Sequence, residues 1–385
     1  MAECMKIEIA ASMLNAALKT LRPVIESRTT IPILCSVKLA DGRLTVTDLD
    51  RELSVSVAAL EFSGEGCLAF WPLFRLAGAL SRSFAETLCN DDTLTIRMNE
   101  GEKFAVIASR FGRYRIPVFP ASDFPHLTMP EDGQRIDVDG EALKRALAFA
   151  APFASREETR YYLNGVCLFG RAVVGTDGHR MAFADNVNAH AFDNLIIPNA
   201  AVKVLLAMPP VDSLVLGHTR FSAEAAGMRL VAKTVDGAFP DVLRVIPKCE
   251  QTSRVERAAL AGSVRRLSML QGGGMPYISM VLDGDRIALA ASGLDGEGGE
   301  ELIEASGDAF AAEFNGRYLA DVLRAIGGTG VTIARASSED VYVPTIFRGD
   351  GDGEDRFVVL MPTRTKDTLA VARAALTTLD ARKVA

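Results

Sequence analysis

Residues 31–57 read IPILCSVKLADGRLTVTDLDRELSVSV, a stretch in which apolar and polar residues alternate on either side of Asp41-Gly42. Alternation with a period of two is typical of a β-strand, and an Asp-Gly pair between two such runs indicates a tight hairpin turn. The same plan returns in residues 161–185 and in residues 276–292, the latter with a turn at Asp283-Gly284. We therefore predict three strand-rich segments of one kind.

Amphipathic helices precede and follow these segments. Their apolar residues recur at i, i+4 and i+7, as in Leu14, Leu18 and Leu21, which predicts half-buried helices. The predicted helices are residues 11–22, 71–83, 140–150, 198–208, 257–269 and 316–326. The chain thus contains six strand–helix–strands units. A solenoid is the alternative explanation of the repetition, but solenoid repeats are usually shorter and simpler.

Paired units predict an α+β protein of three similar domains. The joints fall in polar, turn-rich residues. The predicted boundaries are 1–130, 131–253 and 254–365, followed by a tail of residues 366–385.

The composition is that of a soluble globular protein, with 49% hydrophobic and 24% charged residues in 385. We see no signal peptide and no apolar run long enough for a membrane span, so we expect a cytoplasmic protein without a membrane partner. The six cysteines are scattered and form no CxxC pair, which argues for a reducing compartment and against structural zinc.

The charge is unevenly distributed along the chain. The formal net charge of −7 argues weakly against a nucleic-acid partner, but the six helix segments carry twelve basic and only two acidic residues. If those helices share one surface, it attracts phosphate backbones without reading bases. Ordinary solvated helix faces are the alternative explanation. The candidate DNA-binding residues of the helices are Arg22, Arg75, Arg82, Lys144, Lys203, Arg265 and Arg266.

The motif TDGHRMA (176–182) could place His179 beside Asp177 or Asp185 as a catalytic pair. No GxSxG nucleophile motif accompanies it, so a turn between two strands is the favoured interpretation. The histidine spacings and the acidic cluster at 348–355 do not fit a metal site. We therefore predict no catalytic residues, no metal and no cofactor.

Six motifs occur in a characteristic order along nearly the whole chain. They are RTTIPIL (28–34), TRYYLNGV (159–166), TDGHRMA (176–182), DGAFPDVLRVIP (236–247), FNGRYLADVL (314–323) and VVLMPTR (358–364). With them the chain resembles the β subunit of bacterial DNA polymerase III, the β sliding clamp family.

The resemblance implies a non-catalytic processivity factor of the DNA clamp fold. Members form head-to-tail homodimers in which helices line a ring and sheets lie outside. The ring encircles double-stranded DNA without sequence preference. The implied partners are the DNA polymerase III catalytic subunit, the clamp loader, and repair polymerases and mismatch-repair factors, which dock through short peptides.

The resemblance also implies roles for individual residues. Arg28, Tyr161 and Tyr162 match DNA-contacting positions, and Met269 and Leu270 match dimer-interface positions, with core packing as the alternative. The positions that match the partner-peptide pocket are Arg160, Leu163, Thr176, Gly178, His179, Arg180, Met181, Pro240, Arg244, Val245, Asn315, Tyr318, Met361, Pro362 and Arg364.

The end of the sequence departs from the family pattern. Thr363 and Thr365 stand where apolar residues are usual, and the tail 366–385 follows. We hypothesise that the tail partly covers the pocket; a frayed terminus without function is the alternative. Two other functions stay open at this point: a specialised clamp paralogue that binds or sequesters clamp partners, and a hydrolase that uses His179.

Overall fold

The computed structural model confirms the α+β class and the six predicted repeats. In each repeat a strand leads into a helix, directly or after two residues, and three further strands follow. The structure describes residues 3–26, 28–87, 92–188, 191–270, 276–292, 297–337, 341–363 and 368–383.

The first three repeats occupy the first half of the chain. The first consists of β1 (Glu3–Ala10), α1 (Ala11–Leu21), β2 (Ser36–Ala40), β3 (Arg43–Thr47) and β4 (Arg51–Ser56). The second follows an extra strand, β5 (Glu61–Gly64), and consists of β6 (Gly66–Ala69), α2 (Phe70–Glu86), β7 (Thr93–Asn99), β8 (Phe104–Ser109) and β9 (Gly112–Phe119). The third consists of β10 (Gln134–Asp137), α3 (Gly140–Ala150), β11 (Gly165–Gly170), β12 (Ala172–Thr176) and β13 (Arg180–Ala184).

The remaining repeats have the same order. The fourth consists of β14 (Phe192–Pro198), α4 (Asn199–Ala207), β15 (Ser213–Leu216), β16 (Arg220–Ala225) and β17 (Met228–Lys233). The fifth consists of β18 (Gln251–Glu256), α5 (Arg257–Met269), β19 (Tyr277–Asp283), β20 (Arg286–Ser292) and β21 (Gly298–Gly307). The sixth consists of β22 (Phe310–Asn315), α6 (Gly316–Ala325), β23 (Gly330–Arg335), β24 (Thr345–Gly349) and β25 (Arg356–Leu360), after which a last helix, α7, spans Thr368–Lys383.

Local sequence signals account for these elements. Leu14, Leu18 and Leu21 form the buried stripe of α1, as their spacing predicts. The hairpin turn between β2 and β3 uses Asp41 and Gly42, both with positive φ (49° and 71°), which is the conformation of a type I′ turn. The predicted helices and the turn at Asp41-Gly42 are therefore confirmed. The turn predicted at Asp283-Gly284 lies one residue later, at Gly284-Asp285, because Asp283 still pairs with Arg286.

The chain forms two compact units, each built on one continuous antiparallel sheet. The first unit comprises Met1–Lys144 and Ala200–Thr234, with strand order β10-β15-β16-β17-β4-β3-β2-β6-β9-β8-β7-β1-β5. The second comprises Arg145–Asn199 and Val235–Ala385, with strand order β14-β11-β12-β13-β25-β24-β23-β18-β21-β20-β19-β22. Residues 131–253 contribute strands to both sheets.

Four strands of the second unit, β22-β19-β20-β21, are covered on both faces. Helices α5 and α6 lie on one face, where Leu267 approaches Gly299 and Gly316 approaches Ile278. Helix α7 lies on the other, where Ala372 packs against Val281 and Ala290. The two faces follow from the alternation of side chains along a strand. In the described parts of the chain, no helix is long and apolar enough to cross a bilayer.

Close packing of α3 against β12 gives a test of the fold. A Cβ added at Gly175 would lie 2.2 Å from the backbone oxygen of Ala150. We expect Gly175→Ala to lower the free energy of unfolding by about 1–3 kcal/mol, because backbone must move to admit it. Gly78→Ala on helix α2 is the matched control. A Cβ added at Gly78 would approach only the Oδ1 atom of Asn15, at 3.4 Å. There we expect stabilisation of up to about 1 kcal/mol. Equal thermal or urea midpoints for both variants would contradict this packing.

Candidate functional site

The turn between β12 and β13 is held by its own side chains. The Asp177 carboxylate accepts hydrogen bonds from the backbone N–H groups of His179 (2.9 Å) and Arg180 (3.0 Å). The Thr176 hydroxyl accepts the Gly178 N–H at 3.1 Å and donates to the Arg180 carbonyl at 2.9 Å. Gly178 has a φ of 88°, which favours glycine. The predicted turn at TDGH is confirmed. Its hydrogen bonds fix the backbone positions of His179 and Arg180.

Arg180 is the electrostatic centre of this region. Its guanidinium donates to Asp177 at 2.9 Å and to Asp321 at 2.6 Å, and it lies 4.5 Å from the centroid of the Tyr318 ring. Burial pulls the pKa of Arg180 down, but the hydrogen bonds to Asp321 and Asp177 outweigh burial and raise it above its ordinary value. The side chain is therefore a fixed cation with paired charges, suited to positioning its neighbours.

An open, mainly apolar cavity of about 170 Å³ lies beside this turn, entirely within the second unit. Nine predicted pocket residues line it: Leu163, Thr176, Gly178, His179, Arg180, Met181, Pro240, Val245 and Met361. Three further lining residues were not predicted: Asp241, Val242 and Val359. Apolar walls with a few fixed polar groups are typical of a site that binds a ligand or peptide.

Five other predicted pocket residues are not among those that line the cavity: Arg160, Arg244, Asn315, Tyr318 and Pro362. Arg160 donates to the Asp177 carbonyl at 3.1 Å and to Glu157 at 2.9 Å, and Arg244 is an exposed partner of Asp241. Tyr318 stacks on His179 with ring centroids 5.8 Å apart.

Asn315 and Pro362 are linked to the cavity through neighbouring residues of the chain. The buried Asn315 side chain caps helix α6 by accepting the N–H groups of Arg317 and Tyr318. Pro362 follows Met361, whose N–H donates to the His179 carbonyl at 2.9 Å. The remaining predicted pocket residue, Arg364, lies outside the described residues.

The pairing of His179 with Asp177 as a catalytic pair finds no support in the geometry. The Asp177 carboxylate that would orient its imidazole is instead occupied by two backbone N–H groups and Arg180. Within the described residues, no group of three or more His, Cys, Asp or Glu side chains could hold a metal ion.

The tail hypothesis needs correction. Helix α7 packs on β19, β20, β21 and β22, whereas the cavity residues lie on other elements. Over residues 368–383 the tail is thus a packed helix, not a frayed terminus, and this helix does not cover the cavity.

The predicted DNA-binding residues are mostly exposed. Two of them, Tyr162 and Lys144, are half-buried. The exposed ones are Arg22, Arg28, Arg75, Arg82, Tyr161, Lys203, Arg265 and Arg266. The Lys144 ammonium donates to the Met208 carbonyl at 2.6 Å. Arg266 donates to Glu301 at 2.8 Å, a bond that lowers the pKa of the Glu301 carboxyl. Lys144 and Arg266 are therefore partly engaged within the protein.

The two predicted interface residues lie at the surface. Met269 is 75% exposed and Leu270 is 44% exposed, so simple core packing does not describe them. Leu270 adjoins Gly299 on β21, and between Gly298 and Glu304 this strand pairs only with β20 among the described strands. An apolar pair thus borders an open sheet edge.

Two sequence models of one protein family match the chain. The DNA polymerase III beta subunit, N-terminal domain, matches residues 5–128, and its central domain matches residues 137–241. Together they span more than half of the chain.

The chain belongs to the DNA polymerase III beta subunit family.

Curated relatives match the chain over their full lengths. The beta sliding clamp of Caulobacter vibrioides (strain NA1000 / CB15N) is 28% identical over 383 residues, covering 94% of this chain and 100% of the relative. That of Pseudomonas aeruginosa is 28% identical over 378 residues with the same coverage. The match therefore includes residues beyond the two domain models.

Solved structures of the beta subunit family share the fold. The Caulobacter crescentus beta sliding clamp superimposes with a TM-score of 0.82 at 28% identity, covering 94% of this chain and 99% of that one. The Bartonella birtlesii sliding clamp, solved bound to griselimycin, gives 0.82 at 25% identity, covering 94% and 100%. The predicted clamp fold is confirmed.

Two aspartate–arginine ion pairs, each formed by residues three apart in sequence, test which of them stabilises the structure beside the cavity. Asp177–Arg180 is largely buried, with side chains 16% and 11% exposed, whereas Asp241–Arg244 is 51% and 84% exposed. We expect Asp177→Ala to cost about 1–3 kcal/mol of stability, because two backbone N–H groups and the half-buried Arg180 guanidinium lose their acceptor. Asp241→Ala should cost under about 1 kcal/mol. Urea unfolding measures both, and amide exchange at His179 should accelerate only in the first variant; the reverse order would refute this assignment.

Proposed function

We propose that this protein is a sliding DNA clamp that encircles duplex DNA and tethers the replicative DNA polymerase for processive synthesis. The full-length match to beta sliding clamps, in sequence and in fold, carries the proposal. In this role the protein is a non-catalytic processivity factor, and it acts by topology instead of tight binding. We further propose the three domains 1–130, 131–253 and 254–365 as its building blocks.

The charge of the helices supports a DNA-facing role. Exposed basic side chains occur on all six repeat helices, including Lys19, Arg75, Arg145, Lys203 and Arg265, in a chain of net charge −7. Such side chains attract phosphates irrespective of sequence, and the attraction weakens with salt. An otherwise acidic protein repels DNA from its remaining surface.

The cavity supports binding of partner peptides. Leu163, Met181, Val245 and Met361 offer apolar walls for aliphatic or aromatic side chains, and Arg160 and Arg244 lie near its edge. We propose that the polymerase, the clamp loader and repair factors dock there through short segments. Such peptides bind with micromolar affinity, about −8 kcal/mol.

Topological binding predicts a specific response to DNA geometry. Loaded by a clamp loader onto nicked circular DNA, the protein should resist high salt, because the ring must open before it can leave. Cutting the circle should release it by sliding. Gel filtration of labelled protein with the DNA measures retention, and equal salt resistance on linear DNA would refute encirclement.

Arginine variants refine this experiment. Arg75→Ala and Lys203→Ala should each reduce the salt dependence of direct DNA binding by about one unit of slope. Arg135→Ala is the matched control, since Arg135 is 72% exposed but lies on strand β10 instead of a helix. An equal reduction of the salt dependence in all three variants would contradict a preferential role of the helices in DNA binding.

A homodimer is the proposed form of the ring. The exposed Met269 and Leu270 border the open edge of β21, which carries the exposed acidic residues Glu300 and Glu304. Strand β9 has an edge of opposite charge: Arg113 and Arg115 are exposed where β9 pairs only with β8 among the described strands. We propose that β21 of one copy pairs with β9 of another.

Variants at the apolar pair test this dimer. We expect the double change Met269→Asp and Leu270→Asp to give folded monomers, because charges would be buried at the interface. Sedimentation measures the mass and circular dichroism the fold. Replacement of the equally exposed Leu60 by Asp is the control and should leave the dimer intact. An unchanged dimer in the double variant would refute the interface.

A further inference from the structure

Helix α7 closes the sheet face that α5 and α6 leave open. Its buried side includes Ala372 and Ala375, both fully buried, and it packs on Val281 and Ala290. Leu369 adds to the same contact. The helix contributes two alanines to the centre of this contact and therefore lies close to the strands.

A polar pair lies on the same face, one rung away from this apolar contact. Ser279 is paired with Glu313 across β19 and β22, and Val281 is paired with Ala311 in the next rung on that face. The Ser279 hydroxyl donates to a Glu313 carboxylate oxygen at 2.8 Å. Glu313 is only 1% exposed and Ser279 is fully buried. A carboxylate so buried depends on its hydrogen-bond donors.

Thr363 is a further donor to Glu313. Its N–H donates to the Glu313 carbonyl at 2.8 Å, and its hydroxyl lies 3.3 Å from both that carbonyl and the Glu313 carboxylate. Two residues earlier, the N–H of Met361 donates to the carbonyl of His179. Met361 and His179 both line the cavity. One short segment therefore joins the cavity wall to the sheet face under α7.

We infer that α7 and Thr363 position the cavity wall and thereby strengthen peptide binding; this inference rests on the proposed function of the cavity as a peptide pocket. Four residues separate Thr363 from Thr368, a length that spans at most about 18 Å, so a docked α7 restricts Thr363. By excluding water, α7 strengthens the hydrogen bonds to Glu313. A wall that is already ordered loses less conformational freedom when a peptide binds.

Two neighbouring alanines of α7 give a matched test in the full chain. Ala372 is fully buried against the sheet, whereas Ala374 is exposed on the same helix. The probe is a fluorescently labelled peptide from the clamp-binding segment of a DNA polymerase III catalytic subunit. We expect Ala372→Asp and removal of residues 366–385 to weaken its binding by about three- to ten-fold. Ala374→Asp should leave affinity unchanged.

Thr363 variants separate positioning from general stability. Thr363→Val removes the hydroxyl at nearly constant shape and should weaken peptide binding. Thr363→Ser keeps the hydroxyl and should retain the affinity of the unaltered protein. Amide exchange at Met361 and Thr363 should accelerate in Ala372→Asp and in the truncated protein. Unchanged affinity in every variant would overturn the inference, as would tighter binding after truncation.

The experiment also distinguishes the two proposals. If the unaltered protein does not bind the peptide, the proposed peptide-docking function fails. The exchange measurement then still decides whether α7 orders the segment at Met361: unchanged exchange rates would overturn the anchoring role on their own.

Discussion

The junction between strand and helix constrains the rest of this protein. In five of the six repeats the helix begins at the residue after the strand ends, so the position of the strand in its sheet fixes where the helix starts. The face that it turns outward is then fixed by its sequence register. Asn315 shows the link to the site, because this buried last residue of β22 also caps α6. That cap places Tyr318 in the first turn, where its ring meets His179.

Local signals explain how much of this fold the sequence predicts. The hairpin turns at Asp41-Gly42 and next to Asp283, and the leucines at helical spacing, depend on neighbours within a few residues. The cavity residues came instead from motifs that resemble a family. Val359 was missed although it lies two residues before Met361 on the same side of the chain, where strand alternation points to it.

Long-range contacts explain what the sequence does not reveal. A count of charges treats Lys144 as a free cation, but its ammonium bonds to the Met208 carbonyl, a partner set by tertiary packing. The position of α7 is a second case. The feature that points to this position is in β19 and β20, each of which has five consecutive buried residues. Five consecutive residues, almost all apolar, indicate a strand that is covered on both faces of the sheet, and therefore require one more covering element.

The continuity of the two sheets has a consequence for dividing the chain. Residues 137–241, which match the central-domain model, include β17 and β13, and these strands bond to β4 and β25 outside that range. Excision of this segment would leave both strands with bare backbone donors and acceptors along one side. Unprotected edges of this kind recruit other strands. The segment recognised as a domain by sequence is therefore a poor candidate for autonomous expression, and its isolated form would tend to aggregate.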